Sequence, residues 1–224
     1  MAEGPGHQRD TQLLLRATGL EQHLEEQRIP FLDLSRDEVA KVRLRADYSR
    51  LGHLWLPRTV LEADFVVSMS KVKTHHWSGV TLSMKNMFGV VPGVKYGWPK
   101  NLLHLGGVQQ SIVDLVATVP IHIVIGDAIV CMEGNAQLAE TPRRLDRIVL
   151  SDDSVAADAT CARLMGLFTG ARSTYCRDSE VPREYAFWQH RSTGCAVSAP
   201  SPFRTVQDFE RFRAKDTPVS VGLR

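Results

Sequence analysis

The chain has 224 residues, of which 43% are hydrophobic and 23% charged, a composition typical of a folded protein rather than a disordered one. Its 27 lysines and arginines against 25 acidic residues leave a net charge of +2, too small a surplus to indicate a nucleic-acid-binding protein. The longest apolar stretch, residues 116–132, contains His122 and Asp127 and is too interrupted for a membrane span. The N-terminal residues lack the basic start and apolar core of a secretory signal, so the sequence predicts a cytoplasmic protein.

The first predicted elements are a helix and two strands. Residues 10–27 carry leucines at roughly helical spacing, with Asp10 placed to cap the start and Gly19 placed to bend or break the helix. Residues 29–34 are typical of a short strand. Residues 63–70 predict a longer strand, whose continuous apolar run indicates burial on both faces.

Strands and helices alternate in the rest of the chain. This alternation predicts an α/β fold with a mostly parallel sheet, helices on both faces, and a single domain over residues 1–224 that ends in an irregular tail from about 173. A short helix is expected within that tail. The elements predicted after residue 70 are helices at 78–89, 106–119, 156–165 and 205–213, and strands at 121–128 and 147–151, with Asp152 or Asp153 capping the third helix.

The charges are unevenly distributed along the chain. Residues 65–113 contain no Asp or Glu, but they hold five lysines and three histidines. Ligands of open α/β sheets bind beyond the carboxyl ends of strands, which is where Lys71 and Lys73 would emerge, and Thr81 and Lys85 would share a helix face. A solvated lysine-rich surface is the alternative, although such surfaces normally mix in acidic residues. We therefore expect this segment to bind an anion.

The three histidines of this segment have two interpretations. Adjacent residues of an extended segment point in opposite directions, so His75 and His76 are poorly placed to share one metal ion, and no carboxylate accompanies them. We therefore predict no metal site. Proton transfer by His75, His76 or His104 is favoured instead, because neighbouring positive charge lowers the pKa of a histidine and keeps the ring neutral near pH 7.

Acidic residues return near the end of the strand at 121–128. Asp127 closes that strand and Glu133 follows in the next loop, where they would serve as a general base, a lysine partner or a cation site. A turn or cap is the alternative for Asp127. Asp158 lies inside a predicted helix between two alanines, so capping does not explain it.

Aromatic residues are interleaved with the lysines at Trp77, Tyr96 and Trp98. Platforms for single-stranded nucleic acids show the same interleaving. Because the chain has neither a recognition motif nor a basic overall charge, we favour a pocket for a small molecule over a nucleic-acid site.

The four cysteines lie far apart, without a C-x-x-C pair or a closely spaced triplet. This spacing predicts reduced structural thiols and identifies no iron–sulfur or zinc site, so the cofactor is unknown. Catalysis by Cys131 or Cys195 is the alternative for two of them. The cysteines are Cys131, Cys161, Cys176 and Cys195.

Several motifs together resemble the family catalogued as domain of unknown function 362. The match runs from E-G-P-G-H near the start to S-P-F-R-T-V-Q-D-F-E-R-F-R in the tail, and so covers nearly the whole chain. K-V-K-T-H-H and K-N-M-F-G are long enough to be specific. The other matching runs are Y-G-W-P-K-N, I-G-D-A-I-V-C-M-E-G-N and D-D-S-V-A-A-D.

The resemblance implies a fold more firmly than a reaction, because the family's reaction is not generally established. Members are often joined to ferredoxin-like iron–sulfur modules, so a separate ferredoxin-like protein is an expected partner of this chain. Members usually carry a strand and a K-P-N-like segment ahead of E-G-x-G, so the chain is expected to be shortened at its N-terminus. It also departs from the family loop pattern at Ala136, Gln137 and Glu140, which puts activity in question.

The leading hypothesis is a protein that binds an anionic small molecule, a carboxylate or a phosphate, in a pocket rich in lysine and histidine, with or without acid–base catalysis. The alternatives are a non-catalytic accessory or electron-transfer-associated binding protein and an inactive shortened remnant. The catalytic candidates are His75, His76, His104, Asp127 and Glu133. The ligand-binding candidates are Lys71, Lys73, Thr74, Lys85, Asn86, Lys100, Asn101 and Asp158.

Overall fold

The computed structural model describes residues 1–165 except 7, 76–77, 99 and 135–139. The chain forms two compact units, which we describe separately. Unit 1 comprises Met1–Val66 and Lys85–Pro120, and unit 2 comprises Val67–Met84 and the chain from Ile121 onward. The irregular tail and the helix expected at 205–213 lie outside the described residues, and the single-domain prediction stays a prediction.

The helix predicted at residues 10–27 is present in unit 1 and is interrupted where the sequence indicated. The Asp10 carboxylate accepts hydrogen bonds from the backbone N–H groups of Gln12 and Leu13, which are otherwise unpartnered donors of the first turn. Gly19 adopts a φ of 74°, a left-handed conformation that ends one helix and starts the next. The helices are α1 (Thr11–Ala17) and α2 (Leu20–Glu26).

The remaining elements of unit 1 are short and include a hairpin that the sequence patterns did not predict. β1 (Ala2–Glu3) pairs in parallel with β2 (Leu32–Asp33), and β3 (Val39–Arg43) pairs antiparallel with β4 (His53–Pro57). The helices that follow are α3 (Arg58–Leu61), a 3₁₀ helix (Met87–Val90), α5 (Gly93–Tyr96), α6 (Asn101–Leu105) and α7 (Val108–Thr118), with α4 (Ser83–Asn86) crossing the boundary between the units.

A buried acidic side chain ties α7 of unit 1 to the loop before β4. The Asp114 carboxylate accepts hydrogen bonds from the backbone N–H groups of Tyr48 and Ser49, at 2.8 Å each, and from the Ser49 hydroxyl. Three donors on one carboxylate satisfy its lone pairs, which allows Asp114 to be fully buried.

Unit 2 contains a four-stranded mixed sheet in the order β6-β5-β7-β8. β5 and β7 pair in parallel, as the sequence predicted, and the α/β class is confirmed. The outer strands β6 and β8 pair antiparallel, because each joins its neighbour through a connection too short for a parallel crossover. The strands are β5 (Val67–His75), β6 (Gly79–Thr81), β7 (Ile123–Gly134) and β8 (Glu140–Ser151).

The central strand β5 differs from the prediction in length and in burial. It extends to His75, so it contains the residues that the sequence placed beyond its end. Its side chains alternate, with Ser68 and Val72 buried whereas Met69 is 64% exposed. An apolar run therefore did not mean burial on both faces, because one face of this strand lacks a covering element in the described part of unit 2.

The helix predicted at 78–89 is a strand followed by a helix. Gly79 has a φ of 77°, which turns the chain back so that Val80 and Thr81 pair with β5. Both residues are β-branched and suit a strand. The helix begins only at Ser83, so Thr81 and Lys85 do not share a helix face.

One face of the unit 2 sheet packs against α8 (Ser154–Leu164). As predicted, Asp153 caps this helix by accepting hydrogen bonds from the N–H groups of Val155 and Ala156 at 2.9 Å. A Cβ at Gly126 would lie 3.4 Å from the Cys161 Sγ, an ordinary van der Waals distance, so α8 packs directly over this position of β7. The buried cluster beneath α8 consists of Val72, Val80, Leu82, Ala128, Cys131, Val149 and Cys161.

Candidate functional site

The least ordinary side chain in unit 1 is that of Lys100. It is only 3% exposed, and its ammonium group donates a hydrogen bond to the backbone carbonyl of Phe88. Its φ of 69° is left-handed, a conformation that costs a residue with a side chain about 1–3 kcal/mol. The burial of the cation and its left-handed backbone each lower the stability of the folded protein. Such a combination is expected where function constrains a residue.

A second lysine contacts the same phenylalanine. The Lys85 Nζ lies 4.5 Å from the centre of the Phe88 ring, a cation–π contact. Burial is the main cause that lowers the pKa of Lys100 to about 8, and the charge of Lys85 lowers it further while Glu3 opposes both. Two ammonium groups are thus held around one residue, one on its carbonyl and one on its ring.

His104 contacts both Phe88 and Lys100. Its ring meets the Phe88 ring edge-on, with centroids 6.2 Å apart, and its Nδ1 is 3.2 Å from the Lys100 carbonyl oxygen. A carbonyl oxygen only accepts, so Nδ1 carries the proton in this hydrogen bond and Nε2 holds the lone pair of the neutral ring. In this tautomer the basic nitrogen of His104 is Nε2.

The N-terminal E-G-P-G turn completes the cluster. A side chain at Gly4 would collide with the carbonyl oxygen of Gly89, so the turn packs directly on the backbone that follows Phe88. The Glu3 carboxylate lies 3.8 Å from the position a Gly89 Cβ would occupy. We call Glu3, Lys85, Phe88, Lys100 and His104 the Phe88 cluster.

Sequence reasoning missed two members of the Phe88 cluster. Glu3 and Phe88 both lie in quoted motifs, E-G-P-G and K-N-M-F-G, but nothing in the spacing of those motifs indicated that they meet. The available signal was the glycine in each, because two glycines separated in sequence are what a close approach of two backbones requires.

In unit 2, Lys71 and Asp127 form an ion pair between neighbouring strands. They occupy paired positions on β5 and β7, and both side chains are more than 40% exposed. Lys71 was expected beyond the end of its strand and Asp127 at the end of its strand. Both predictions are wrong, because β5 continues to His75 and β7 to Gly134. Asp127 also accepts a hydrogen bond from the Ile129 N–H at 3.0 Å, where the strand pairing shifts register. The carboxylate therefore supports a β-bulge.

Glu133 also lies within β7 rather than in the loop predicted after it. Its carboxylate is 2.7 Å from the guanidinium of Arg143 on β8, and both side chains are about half exposed. Thr74, near the end of β5, donates a hydrogen bond to the Gly134 carbonyl at 3.0 Å. These contacts link the ends of β5, β7 and β8.

His75 ends β5 and is buried. Its Nδ1 accepts a hydrogen bond from the Ser78 N–H at 3.2 Å, so the proton of the neutral ring is on Nε2. This bond joins the last residue of β5 to the residue that precedes β6. Lys73 is half-buried opposite Thr81, and His76 lies outside the described residues.

Asp158 is a half-buried cap. Its carboxylate accepts hydrogen bonds from the Ser83 N–H and hydroxyl and from the Met84 N–H, so it holds α8 against the first turn of α4. Burial raises the pKa of Asp158 to about 7, although these donors oppose the shift. The unexplained acid of the sequence thus caps a helix other than its own.

The predicted site residues fall into two sets. Asn101 begins α6 immediately after Lys100, and Asn86 ends α4 beside Lys85. Of the three altered loop positions, Ala136 and Gln137 lie outside the described residues, and Glu140 begins β8. Unit 1 holds Lys85, Asn86, Lys100, Asn101 and His104, and unit 2 holds Lys71, Lys73, Thr74, His75, Asp127, Glu133 and Asp158.

The described cysteines are free and buried, as expected of structural thiols, and burial raises the pKa of both. These are Cys131 and Cys161, whereas Cys176 and Cys195 lie outside the described residues. Within residues 1–165 and their stated gaps, no three His, Cys, Asp or Glu side chains are grouped as metal ligands would be. No helix in that same part of the chain combines the length and apolar character needed to cross a membrane.

Comparisons with known proteins identify a family and one informative relative. The chain is 28% identical over 141 residues to a thylakoid-associated protein of Synechocystis sp.. The aligned part is 61% of this chain and 43% of the relative, so the chain spans less than half the length of that protein. No solved structure matches. The family model described as a domain of unknown function, DUF362, matches residues 1–163, which include all of unit 1 and most of the described part of unit 2, and the chain therefore belongs to the DUF362 family.

Proposed function

We propose that the protein binds an anionic small molecule, a carboxylate or a phosphate, at the Phe88 cluster. The observation that carries the proposal is Lys100, a buried ammonium group with a lowered pKa and a neutral carbonyl as its hydrogen-bond acceptor. Of the lysines and histidines expected from the sequence to form the pocket, the proposed site contains Lys85, Lys100 and His104. Lys71 is less suited, because Asp127 already neutralises it.

An anion would relieve the electrostatic cost of the cluster. The Phe88 carbonyl accepts one of the three N–H donors of the Lys100 ammonium. Glu3 already offsets part of the repulsion between Lys85 and Lys100. A carboxylate or phosphate at the cluster would accept further donors from the Lys100 ammonium group and add to that offset. The same interaction would return the pKa of Lys100 toward its ordinary value, so binding is linked to proton uptake above pH 8.

Acid–base chemistry is a further part of this proposal. A histidine whose Nε2 holds the lone pair, next to two lysines, can accept a proton from a carbon or oxygen acid while the lysines stabilise the developing negative charge. His104 has the required tautomer. Asp127 and Glu133 are not needed for this step, because each already accepts a cation in unit 2.

A non-catalytic accessory protein is the second candidate. The relative from Synechocystis sp. is named for its association with thylakoids, and no reaction is part of that name. On this proposal the anion site recognises a partner group, such as one on a separate ferredoxin-like protein, and no turnover occurs. A cytoplasmic location also remains a proposal for this chain.

The test measures anion binding by calorimetry with inorganic phosphate and with small carboxylates. We expect Lys100→Met to weaken binding at least about tenfold, since hydrogen bonds to charged groups contribute about 1.5–3 kcal/mol. Lys95→Met is the matched control, because Lys95 lies in the same segment but is exposed and stacks on the Trp55 ring. Circular dichroism establishes that both variants are folded.

The pH dependence provides a second readout. Affinity in the wild type should fall as the pH rises through about 8, because Lys100 loses its proton there. Equal losses in Lys100→Met and Lys95→Met, or no binding of any anion by the wild type, would overturn the proposed function.

A further inference from the structure

Unit 2 contains a cavity of about 380 Å³ at the ends of β5, β7 and β8. Its wall is mainly apolar and includes Cys131, Met132, Leu145 and Met165. Burial is the main cause that raises the pKa of the Cys131 thiol, which therefore stays neutral. Such a wall gains free energy from removing an apolar group from water.

One charged pair lies beside this apolar wall. Arg143 and Glu133 both line the cavity and pair with each other at 2.7 Å, with about half of each side chain exposed. Arg143 pairs with Cys131 between β7 and β8, so its side chain begins beside the apolar part of the cavity wall. A half-exposed ion pair is worth little, so the guanidinium can exchange Glu133 for another carboxylate at small cost.

We propose that this cavity binds an amphipathic carboxylate, a short acyl chain whose carboxylate pairs with Arg143. At roughly 30 Å³ per water-sized group, the cavity has room for about a dozen non-hydrogen atoms, the size of an eight- to ten-carbon acid. The guanidinium fork matches a carboxylate in geometry, and the sulfur-containing and leucine side chains suit the chain. The lining residues named here all belong to unit 2, so this site is independent of the Phe88 cluster.

The Glu133–Arg143 pair predicts opposite effects of two substitutions on ligand affinity, and non-specific binding would not show that difference. In the protein without ligand, Glu133 occupies the position on Arg143 that the ligand carboxylate would take. Removing the Glu133 charge should therefore strengthen binding, and removing the Arg143 charge should weaken it. A neutral ligand of the same length should respond to neither change.

The experiment uses the full chain and measures binding of octanoate and of octanol by calorimetry. We expect Arg143→Gln to weaken octanoate binding about tenfold and Glu133→Gln to strengthen it severalfold, with octanol little changed. Arg144→Gln is the matched control, because Arg144 is the next residue on β8 but pairs with Asp146 and does not line the cavity. It should leave octanoate binding within about twofold of wild type.

Two further variants keep the outcomes separable. Thr141→Trp places a large side chain on the cavity wall and should abolish binding of both ligands, with circular dichroism used to verify the fold. Lys100→Met should leave octanoate binding in the cavity intact, so failure of the Phe88 cluster and failure of this cavity are distinguishable. Absence of octanoate binding by the wild type, or equal effects of Arg143→Gln and Arg144→Gln, would overturn the proposal.

Discussion

Two lysines from the same acid-free segment have opposite surroundings in the two units. Lys100, in unit 1, is 3% exposed, donates to a backbone carbonyl and has a pKa lowered to about 8. Lys71, in unit 2, has a side chain 44% exposed and pairs with Asp127. From the sequence alone, Lys100 and Lys71 are equivalent candidates for binding an anion. Only the first is held at an electrostatic cost that a ligand could relieve, so burial rather than residue type separates a candidate site from a surface ion pair.

The acidic residues of unit 2 show the same contrast. Asp158 is half-buried, accepts three hydrogen bonds and has a pKa raised to about 7, mainly by desolvation. Asp127 is 42% exposed and supports a bulge. Substitutions at these four positions test whether burial sets the size of the effect, and we take them from the largest expected effect to the smallest.

Asp158→Ala should give the largest loss, about 3 kcal/mol of unfolding free energy. It leaves the N–H groups of Ser83 and Met84 without their acceptor in a partly buried place, and each unsatisfied donor costs about 1–3 kcal/mol. Urea unfolding followed by circular dichroism measures it. Asp152→Ala is the control, since Asp152 is exposed and should change stability by less than about 0.5 kcal/mol. Equal effects of the two variants would contradict the cap interpretation.

Lys100→Met should change how stability depends on pH. The pKa of Lys100 is about 8 in the folded protein against an ordinary lysine value of 10.5, so between these values the unfolded chain binds more protons and wild-type stability rises with pH. At 1.36 kcal/mol per pH unit, the rise attributable to Lys100 is about 3 kcal/mol. The variant should lack that rise, whereas Lys95→Met should keep it. Parallel unfolding curves for wild type and Lys100→Met from pH 8 to 10.5 would show that Lys100 is not buried as a cation.

Lys71→Met and Asp127→Asn should have the smallest effects. An exposed ion pair contributes about 0–1 kcal/mol, and asparagine keeps an oxygen for the Ile129 N–H. A double-mutant cycle from urea unfolding measures the coupling, which should decrease as salt is added because the pair is accessible to counterions. A coupling above about 2 kcal/mol would remove the distinction between the two lysines.

The described elements were predictable where local signals act within one segment. Asp10 and Asp153 cap helices because a carboxylate reaches N–H groups two or three residues ahead, and that distance is fixed by the sequence. Gly19 breaks the first helix for an equally local reason. Predictions failed where a partner strand decided the outcome, since pairing with β5 turns residues 79–81 into a strand.

The sequence indicated which residues the candidate site contains but not how they are arranged. Counting charges along the chain identified Lys85, Lys100 and His104 as candidates, and all three lie in the Phe88 cluster. The same count gave equal weight to Lys71, whose acidic partner comes from a strand 56 residues later. Phe88 was not considered, because its role depends on a backbone carbonyl and a ring face that no spacing rule reports.

The sequence by itself determined the family motifs, the helix caps and the exclusion of acids from residues 65–113, because each is written within a short stretch of chain. Tertiary structure alone decided that Lys100 is the buried lysine, that the Asp158 carboxylate of α8 caps α4, and that an apolar cavity forms beside Arg143. The physical reason is that desolvation and pairing depend on neighbours brought from distant parts of the chain. The charge of a residue is local, but the free energy of that charge is set by the fold.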